Sequence, residues 1–258
     1  MPWPNGHSLG FSLQQFSEVL RIRDAAGKPY VLIGGQAVNY WAERYLTSEP
    51  RLEQLQPFTS EDIDFKGSTD DVRRIAQQLD LTPTYPHKVE MTALAGVIPL
   101  RIGGLRSNIE VVRRIPGVSG SVEALAIQAE WNGKTIRVLD PVSLLACKLN
   151  LVARVPQEER RDVTHLKILV PCVRAFLREF LQRVERGQIP ARHWLGPANQ
   201  VLKLTTNHRA RKIATQHQIN WLEILPLTAI TNSQNEKIRR FHQQQLEQGY
   251  RKAKGISV

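Results

Sequence analysis

The protein has 258 residues, enough for a substantial hydrophobic core and for one large or two small domains. Its 41% hydrophobic and 7% aromatic residues are ordinary for a soluble globular protein, and the most apolar run, residues 91–100, is about half as long as a membrane-spanning helix. The N-terminus does not resemble a secretory signal, and Cys147 and Cys172 stand among apolar residues. We therefore expect a cytoplasmic protein with no membrane partner and with buried free thiols, a disulfide between the two cysteines being the alternative.

The net charge of +11 is distributed unevenly along the chain. Residues 1–140 have a net charge of −1, whereas residues 141–258 have a net charge of +12. A strongly basic half indicates a polyanionic partner such as nucleic acid, although a solvated helical surface would have a similar composition.

The first half of the sequence predicts alternating strands and helices, and the second half predicts helices alone. In chain order we first expect a helix at 11–24, a strand at 29–35, a helix at 36–46 and a loop at 47–59. A strand at 62–66 and a helix at 69–80, with Thr69 as N-cap, should follow. The last elements of this half are strands at 88–102 and 107–112 around a Gly103–Gly104 turn, and a strand at 134–140. Pro141 opens a helix over 141–155, and a basic helical pattern continues to about Gln248. This change of character predicts a domain boundary near Asp140, with domains at 1–140 and 141–258.

Two aspartates occupy alternate positions in the predicted strand at 62–66. Asp62 and Asp64 point to one side of that strand, while Ile63 and Phe65 point to the other. Like charges this close repel unless a cation lies between them, so the pattern indicates a metal site. A solvated turn with two acidic residues is the alternative.

A glycine pair ends the strand that precedes this one. Gly34 and Gly35 close "LIGG" and lead into a helix, which lets the backbone approach a phosphate at a helix N-terminus. A strand–Gly–Gly–helix turn is often only a tight connection, but it is more specific when an Asp-x-Asp strand follows it.

Together, "LIGG" at 32–35 and "DIDF" at 62–65 resemble the motifs of the polymerase-beta-like nucleotidyltransferases. The segment 138–166, with a proline opening a helix, Lys148 inside it and the pair Arg161–Asp162 after it, is similar to the AbiEii-type branch, which includes MenT-like toxins of toxin–antitoxin systems. The resemblance covers residues 30–166 and implies an α+β fold, a mixed sheet flanked by helices, followed by a basic helical domain.

The resemblance also implies magnesium-dependent transfer of a nucleoside monophosphate from an NTP to an acceptor hydroxyl, with two metal ions. It implies a metal site of Asp62, Asp64 and Glu110, and a nucleotide site of Gly34, Gly35, Ser60 and Lys148, while Asp162 would orient Lys148 or act as a base. Glu110 lies among apolar residues of a predicted strand, and a surface glutamate is its alternative role.

Lys148 has a separate physical interpretation. Leu144, Leu145, Leu151 and Val152 place it on the apolar face of its helix. A lysine there either extends its ammonium outward to water or meets an anion in a cleft.

The sequence departs from the family pattern at three places. Relatives often have an arginine or histidine at the position of Phe58 and a second aspartate at the position of His165, and the spacer from Gly35 to Asp62 is longer than usual. These departures leave the donor nucleotide and the acceptor geometry open.

The basic half indicates RNA, in particular the end of a tRNA, as the acceptor, and the AbiEii-like resemblance implies a possible antitoxin partner. The cations that we expect to contact RNA are Arg209, Arg211, Lys212, Arg239 and Arg240. Two alternatives remain: an aminoglycoside-type nucleotidyltransferase with a small-molecule acceptor, and a non-catalytic nucleotide- or nucleic-acid-binding protein of the same fold.

Overall fold

The computed structural model describes residues 10–87, 89–158 and 160–246. Over these residues the chain forms two compact units, one made of residues up to 43 and 56–144, and the other of residues 44–55 and those from 145 onward. The division into domains at residue 140 stays a prediction, because a compact unit is not by itself an independently folding domain.

The first unit is built on a six-stranded mixed sheet with strand order β3-β4-β2-β1-β6-β5. The strands are β1 (Val31–Ile33), β2 (Ile63–Lys66), β3 (Leu94–Ile102), β4 (Leu105–Val112), β5 (Ala126–Trp131) and β6 (Lys134–Leu139). β1 pairs parallel with β6 and antiparallel with β2, and β2 pairs parallel with β4. The edges are the antiparallel pairs of β3 with β4 and of β5 with β6.

Helices flank this sheet. They are α1 (Gly34–Tyr45), α2 (Thr69–Leu79), the short α3 (Val122–Leu125) and the start of α4 (Pro141–Arg154). The Trp41 indole of α1 donates to the Leu139 carbonyl of β6 at 2.8 Å. α2 packs against β3 and β4, with buried Val72 and Ile75 on its inner face.

Several sequence predictions for this unit need correction. The segment predicted as a helix at 11–24 contains two short 3₁₀ turns, Leu13–Phe16 and Val19–Arg21, because the Phe11 backbone pairs with Ser60 instead of opening a helix. Ser68, not Thr69, is the N-cap of α2, since its side chain accepts from the Asp71 amide.

The connections also differ from prediction. The segment 47–59, predicted as a loop, contains 3₁₀ turns at Leu46–Ser48 and Pro50–Leu55. β5 was not predicted, and the strand predicted from residue 88 begins at Leu94; Lys88 itself lies outside the described residues.

The second unit is helical, as predicted. Its helices are the rest of α4, α5 (Asp162–Glu185), α6 (Arg192–Thr206), α7 (His208–His217), α8 (Leu227–Thr231) and α9 (Glu236–Phe241), followed by a π-helical turn at His242–Leu246. The last predicted helical residues, 247 and 248, lie outside the described chain.

Two tryptophans organise the core of this unit. Trp194 of α6 is fully buried, donates to the Leu177 carbonyl of α5 at 2.8 Å and meets Phe241 edge-on at 5.5 Å. Trp221 donates to the Ala210 carbonyl of α7 at 2.9 Å. Each indole therefore buries a large apolar area while its N–H remains hydrogen-bonded.

The predicted fold class, a mixed sheet flanked by helices followed by a helical region, is confirmed. Both cysteines of the sequence are buried thiols, as predicted, and burial raises the pKa of Cys172. Within the described parts of the chain, no helix combines the length and apolarity needed to cross a membrane.

Candidate metal and nucleotide site

The two aspartates of the Asp-x-Asp pattern flank the first residue of β2, with Asp62 directly before Ile63 and Asp64 directly after it. Ile63 and Phe65 of β2 are buried, at 0% and 1% exposure, while Asp62 and Asp64 are half-buried. The alternation follows from the two-residue period of a strand, which gives the apolar side chains one face and the carboxylates the other.

The register of the sheet brings Glu110 beside this pair. β2 and β4 run parallel, and Asp64 lies opposite Glu110, with Ile63 opposite Ile109 and Phe65 opposite Val111. The partners share a face of the sheet, so the acidic residues lie together on one face and the apolar ones on the other.

Asp62, Asp64 and Glu110 form an acidic cluster whose ligand atoms all lie within 4.8 Å of one another. All three are half-buried. Hard carboxylate oxygens from adjacent strands match the preference of Mg²⁺ and Mn²⁺, which bind through a few carboxylates while keeping water and phosphate ligands. The residues present therefore fit a divalent cation.

Gly34 begins α1 directly after β1 and lies against this cluster. Its φ of +66° is in the left-handed region that favours glycine. A Cβ atom on residue 34 would overlap the Asp64 carboxylate. Ile33, the preceding residue, is the β1 partner of Asp64, so the N-terminus of a 12-residue helix opens at the acidic cluster. Such a terminus favours anions, including the phosphates of a nucleotide.

Hydroxyl groups hold the segment that leads into Asp62. The Ser60 hydroxyl donates to Asp62 Oδ1 at 3.2 Å, and the Ser107 hydroxyl of β4 donates to the Glu61 carbonyl at 2.7 Å. Both serines are buried, while the bonds that they donate are partly buried.

A second polar cluster lies within the helical unit. Lys148 of α4 donates to Asp162 Oδ1 at 2.7 Å, and both side chains are buried. Arg160 donates to Asp162 Oδ2, also at 2.7 Å. Burial raises the pKa of Asp162, but the charges and hydrogen bonds of Lys148 and Arg160 outweigh burial and leave the pKa below its usual value.

His165 lies one turn after Asp162 on α5 and is also buried. Neither of its ring nitrogens has a hydrogen-bond partner among the described residues. Burial, followed by the positive charge of Lys148, lowers the pKa of His165 well below its usual value, so the ring is neutral at physiological pH.

The structure thus brings the predicted residues together in two separate groups. Asp62, Asp64 and Glu110 lie with Gly34 and Ser60 in the first unit, whereas Lys148 and Asp162 form an ion pair in the second. Of the two expectations for Lys148, extension to water or contact with an anion, the structure gives it an anion, because its buried ammonium holds the Asp162 carboxylate. Contact with a nucleotide phosphate stays a prediction.

The predicted RNA-contacting cations lie on two helices of the second unit. Arg209, Arg211 and Lys212 belong to α7, Arg239 and Arg240 belong to α9, and all five are exposed. Arg240 forms an ion pair with Glu236 at 2.6 Å. In the described chain no hydrogen bond or ion pair engages the three cationic side chains of α7.

Three residues around these clusters were not predicted: Gln36, Ser107 and Arg160. Ser107 and Gln36 act through bonds to backbone atoms 46 and 24 residues away, and no local pattern signals such bonds. The contact of Arg160 with Asp162 could have been predicted from the sequence, because the two opposite charges are only two residues apart.

No protein-family model matches the sequence, and no curated protein matches it. Among solved structures, the chain is similar to an antigenic nucleotidyltransferase-like protein from Paracoccidioides brasiliensis, with 13% identity and a TM-score of 0.40. The match covers 64% of this chain and 78% of that chain. A similarity at this level assigns neither family nor function, so function must be inferred from the side chains themselves.

Proposed function

We propose that the protein is a metal-dependent nucleotidyltransferase that moves a nucleoside monophosphate from an NTP to an acceptor hydroxyl. The observation that supports this most is the acidic cluster of Asp62, Asp64 and Glu110 beside the glycine that opens α1. The carboxylates can bind a cation, and the N-terminus of α1 next to them can bind an anion. A metal–triphosphate substrate requires both kinds of site side by side.

Asp62, Asp64 and Glu110 would hold the metal, which we propose to be Mg²⁺ bound as two ions. When bound, it would neutralise negative charge on the phosphates and on the attacking and leaving oxygens. The residues of the chain would do the rest. The Gly34–Gly35 backbone would accept the triphosphate, and Glu110 would accept the proton of the attacking hydroxyl.

The reaction forms one bond and breaks another. The acceptor oxygen bonds to the α-phosphorus while the bond from that phosphorus to the bridging oxygen of pyrophosphate breaks. Pyrophosphate leaves with the electron pair of the broken bond, and the hydroxyl proton passes to the carboxylate of Glu110. The roles assigned from resemblance to Lys148, as a phosphate ligand, and to Asp162, as its orienting residue or a base, stay predictions.

We propose RNA, in particular a tRNA end, as the acceptor. Support comes from the net charge of +12 in residues 141–258 and from the exposed cations of α7. Clustered exposed cations attract phosphates over a distance and release counterions when they contact them. A toxin role and an antitoxin partner are proposed only from the motif resemblance of residues 138–166.

The deciding experiment supplies each α-labelled NTP in turn with Mg²⁺ and total RNA, and measures labelled RNA and released pyrophosphate. We expect one NTP to label RNA with equal release of pyrophosphate. Chelation of the metal and the Asp64→Asn variant should both abolish the signal. Labelling of an added aminoglycoside instead of RNA would replace the acceptor, and absence of pyrophosphate release with all four NTPs would contradict the proposed reaction.

A further inference from the structure

A buried amide lies next to the candidate metal site. Gln36, in the first turn of α1, has 0% exposure. Its Nε2 donates to the Phe11 carbonyl at 2.8 Å and to the Ser60 carbonyl at 3.4 Å, while its Oε1 accepts from Asn39 at 3.1 Å. The donor and the acceptor group of the amide are therefore both hydrogen-bonded. The two carbonyl groups that accept from Nε2 belong to segments far away in sequence.

Those two segments also hold each other. The Phe11 amide donates to the Ser60 carbonyl at 2.8 Å, and the Ser60 amide donates to the Phe11 carbonyl at 3.0 Å. This isolated bridge fixes the backbone of Ser60 and so the position of its hydroxyl, which donates to Asp62 Oδ1 at 3.2 Å. A continuous set of hydrogen bonds thus runs from Gln36 through the bridge to Asp62.

The strand ladder fixes the backbone of Asp64 but not that of Asp62. Asp64 lies inside β2, where the ladder pairs it with Ile33 on one side and Glu110 on the other. Asp62 precedes the first residue of β2, Ile63, so the ladder does not fix its backbone. A ligand placed before the strand is held only as firmly as the segment that leads into it.

We propose that Gln36 is a positioning residue for the metal site, which fixes the Phe11–Ser60 bridge and through it the carboxylate of Asp62. The inference rests on the proposed function, because it requires that Asp62 binds a cation. Outer groups that orient a metal ligand typically change metal affinity by about 10- to 100-fold when they are removed. Gln36 thereby couples the start of α1, where the triphosphate would bind, to a metal ligand on the next strand.

The test is Mn²⁺ binding by calorimetric titration of the full chain, with Gln36→Met and Ser60→Ala as variants. Methionine keeps the length of glutamine but removes its hydrogen bonds. We expect Gln36→Met to weaken Mn²⁺ binding by about 10-fold or more. Raising the metal concentration should restore turnover in this variant but not in Asp62→Asn, which lacks the ligand.

Gln78→Met is the matched control. Gln78 also clamps a distant backbone, since its Nε2 donates to the Arg23 carbonyl at 2.7 Å and its Oε1 accepts from the Arg23 amide at 2.9 Å. That clamp is not bonded to the segment that precedes Asp62. The control should therefore retain the wild-type Mn²⁺ affinity although it too loses hydrogen bonds to a distant backbone segment, in this case exposed ones.

Each outcome decides the inference. Wild-type Mn²⁺ affinity in folded Gln36→Met, with only a lower melting temperature, would overturn it and leave Gln36 a structural residue. If Gln36→Met does not fold, Mn²⁺ binding by Ser60→Ala decides. Weaker Mn²⁺ binding by this variant would support the inference, and unchanged Mn²⁺ binding would contradict it. Absence of Mn²⁺ binding by the wild-type protein would instead overturn the metal site of the proposed function, and this inference with it.

Discussion

Gly34 and Asp64 lie so close together that a side chain on residue 34 would overlap the Asp64 carboxylate. Residue 34 must therefore be glycine for two independent reasons, the overlap and its φ of +66°. The sequence suggested that this glycine lets the backbone approach a phosphate. The structure adds that it leaves room for an acidic side chain of the candidate metal site.

The first prediction concerns Gly34→Ala. The left-handed backbone alone costs a non-glycine residue about 1 to 2 kcal/mol, and the overlap must in addition displace Asp64 or α1. We expect a loss of unfolding free energy beyond that backbone cost, together with weakened Mn²⁺ binding. Denaturant unfolding and calorimetric titration would measure the two effects.

Gly27→Ala is the control for this prediction. Gly27 has a similar φ of +73°, but a Cβ atom there would meet nothing within 4 Å among the described residues. It should show the backbone cost alone, with unchanged metal binding. Equal destabilisation of both variants, with metal binding intact in both, would contradict the role assigned to the overlap.

The second prediction concerns charge in the acidic cluster. Asp62→Asn, Asp64→Asn and Glu110→Gln should each reduce nucleotidyl transfer by at least about 100-fold, because each removes a charged ligand. Folding should be unchanged or slightly more stable, since repulsion among three carboxylates is relieved. Turnover and thermal melting, with and without Mg²⁺, measure both effects.

Glu61→Gln is the matched control, because Glu61 is exposed and adjacent to Asp62. It should keep turnover near that of the wild type. A similar loss in Glu61→Gln would indicate a general effect of negative charge on this surface. Near-normal turnover in either aspartate variant would contradict the metal-site assignment.

The candidate site could be predicted where its signal is local. The alternation of Asp62 and Asp64 with Ile63 and Phe65 follows from strand geometry, and the strand itself is confirmed. The register that sets Asp64 opposite Glu110 could not be read from the sequence, because β3 and a long connection separate β2 from its partner β4.

The wrong sequence predictions have the same physical origin, which is contact between residues far apart in sequence. Phe11, Phe16, Val19 and Leu20 have helical spacing and are all buried, yet the backbone of Phe11 pairs with Ser60, 49 residues later, and prevents a regular helix there. Tertiary hydrogen bonds override local preference in such a segment. Gln36 was not identified for a related reason, since its importance lies in two distant carbonyl groups.

The third prediction concerns Lys148, whose ammonium forms a buried ion pair with Asp162. Breaking a buried ion pair by removing one partner typically costs about 3 to 5 kcal/mol. We expect Lys148→Met to fall near the lower limit, because Arg160 still donates to Asp162. Denaturant unfolding measures this loss, and titration with a non-hydrolysable NTP should show weaker binding if the ammonium also contacts phosphate. Unchanged NTP affinity would make Lys148 structural only.

Two further variants separate these effects. Lys167→Met removes an exposed lysine of α5 and should leave stability and NTP affinity unchanged. Adding Asp162→Leu to Lys148→Met removes the buried charge that was left behind, so the double variant should be less destabilised than the sum of the single variants. Additive losses would contradict a direct coupling between the two residues.

The fourth prediction concerns pH. His165 has a lowered pKa in the folded protein, whereas in the unfolded chain it takes up a proton near the ordinary value of about 6.5. The unfolded state therefore binds more protons as the pH falls through 6.5, and stability falls with it. Between pH 7.5 and 5.5 the loss should be on the order of 1 kcal/mol, as expected when only the unfolded state takes up one proton.

His165→Leu should remove this part of the pH dependence, because leucine fills the buried position without titrating. The exposed His208, replaced by glutamine, serves as control and should keep the wild-type slope. Denaturant unfolding at several pH values gives the slope directly. An unchanged slope in His165→Leu would show that other groups produce the pH dependence.

The last prediction concerns the RNA surface. The cations of α7, Arg209, Arg211 and Lys212, have no ion-pair partner in the described chain, whereas Arg240 of α9 is paired with Glu236. Charge reversal on α7 should therefore weaken RNA binding more than reversal of Arg239 and Arg240. If the contacts are to phosphates, the logarithm of affinity falls linearly with the logarithm of salt concentration, and each lost contact reduces that slope by about 0.7 to 0.9.

Binding of RNA by the α7 variant should weaken across sequences, because phosphate contacts carry no base information. Binding of a non-hydrolysable NTP should survive, since the acidic cluster is untouched, and this separates acceptor binding from the nucleotide site. Fluorescence anisotropy with RNA at several salt concentrations and calorimetric titration with the NTP analogue measure the two properties. RNA binding that is independent of salt, or charge reversals that leave RNA labelling unchanged, would contradict this surface and favour a small-molecule acceptor.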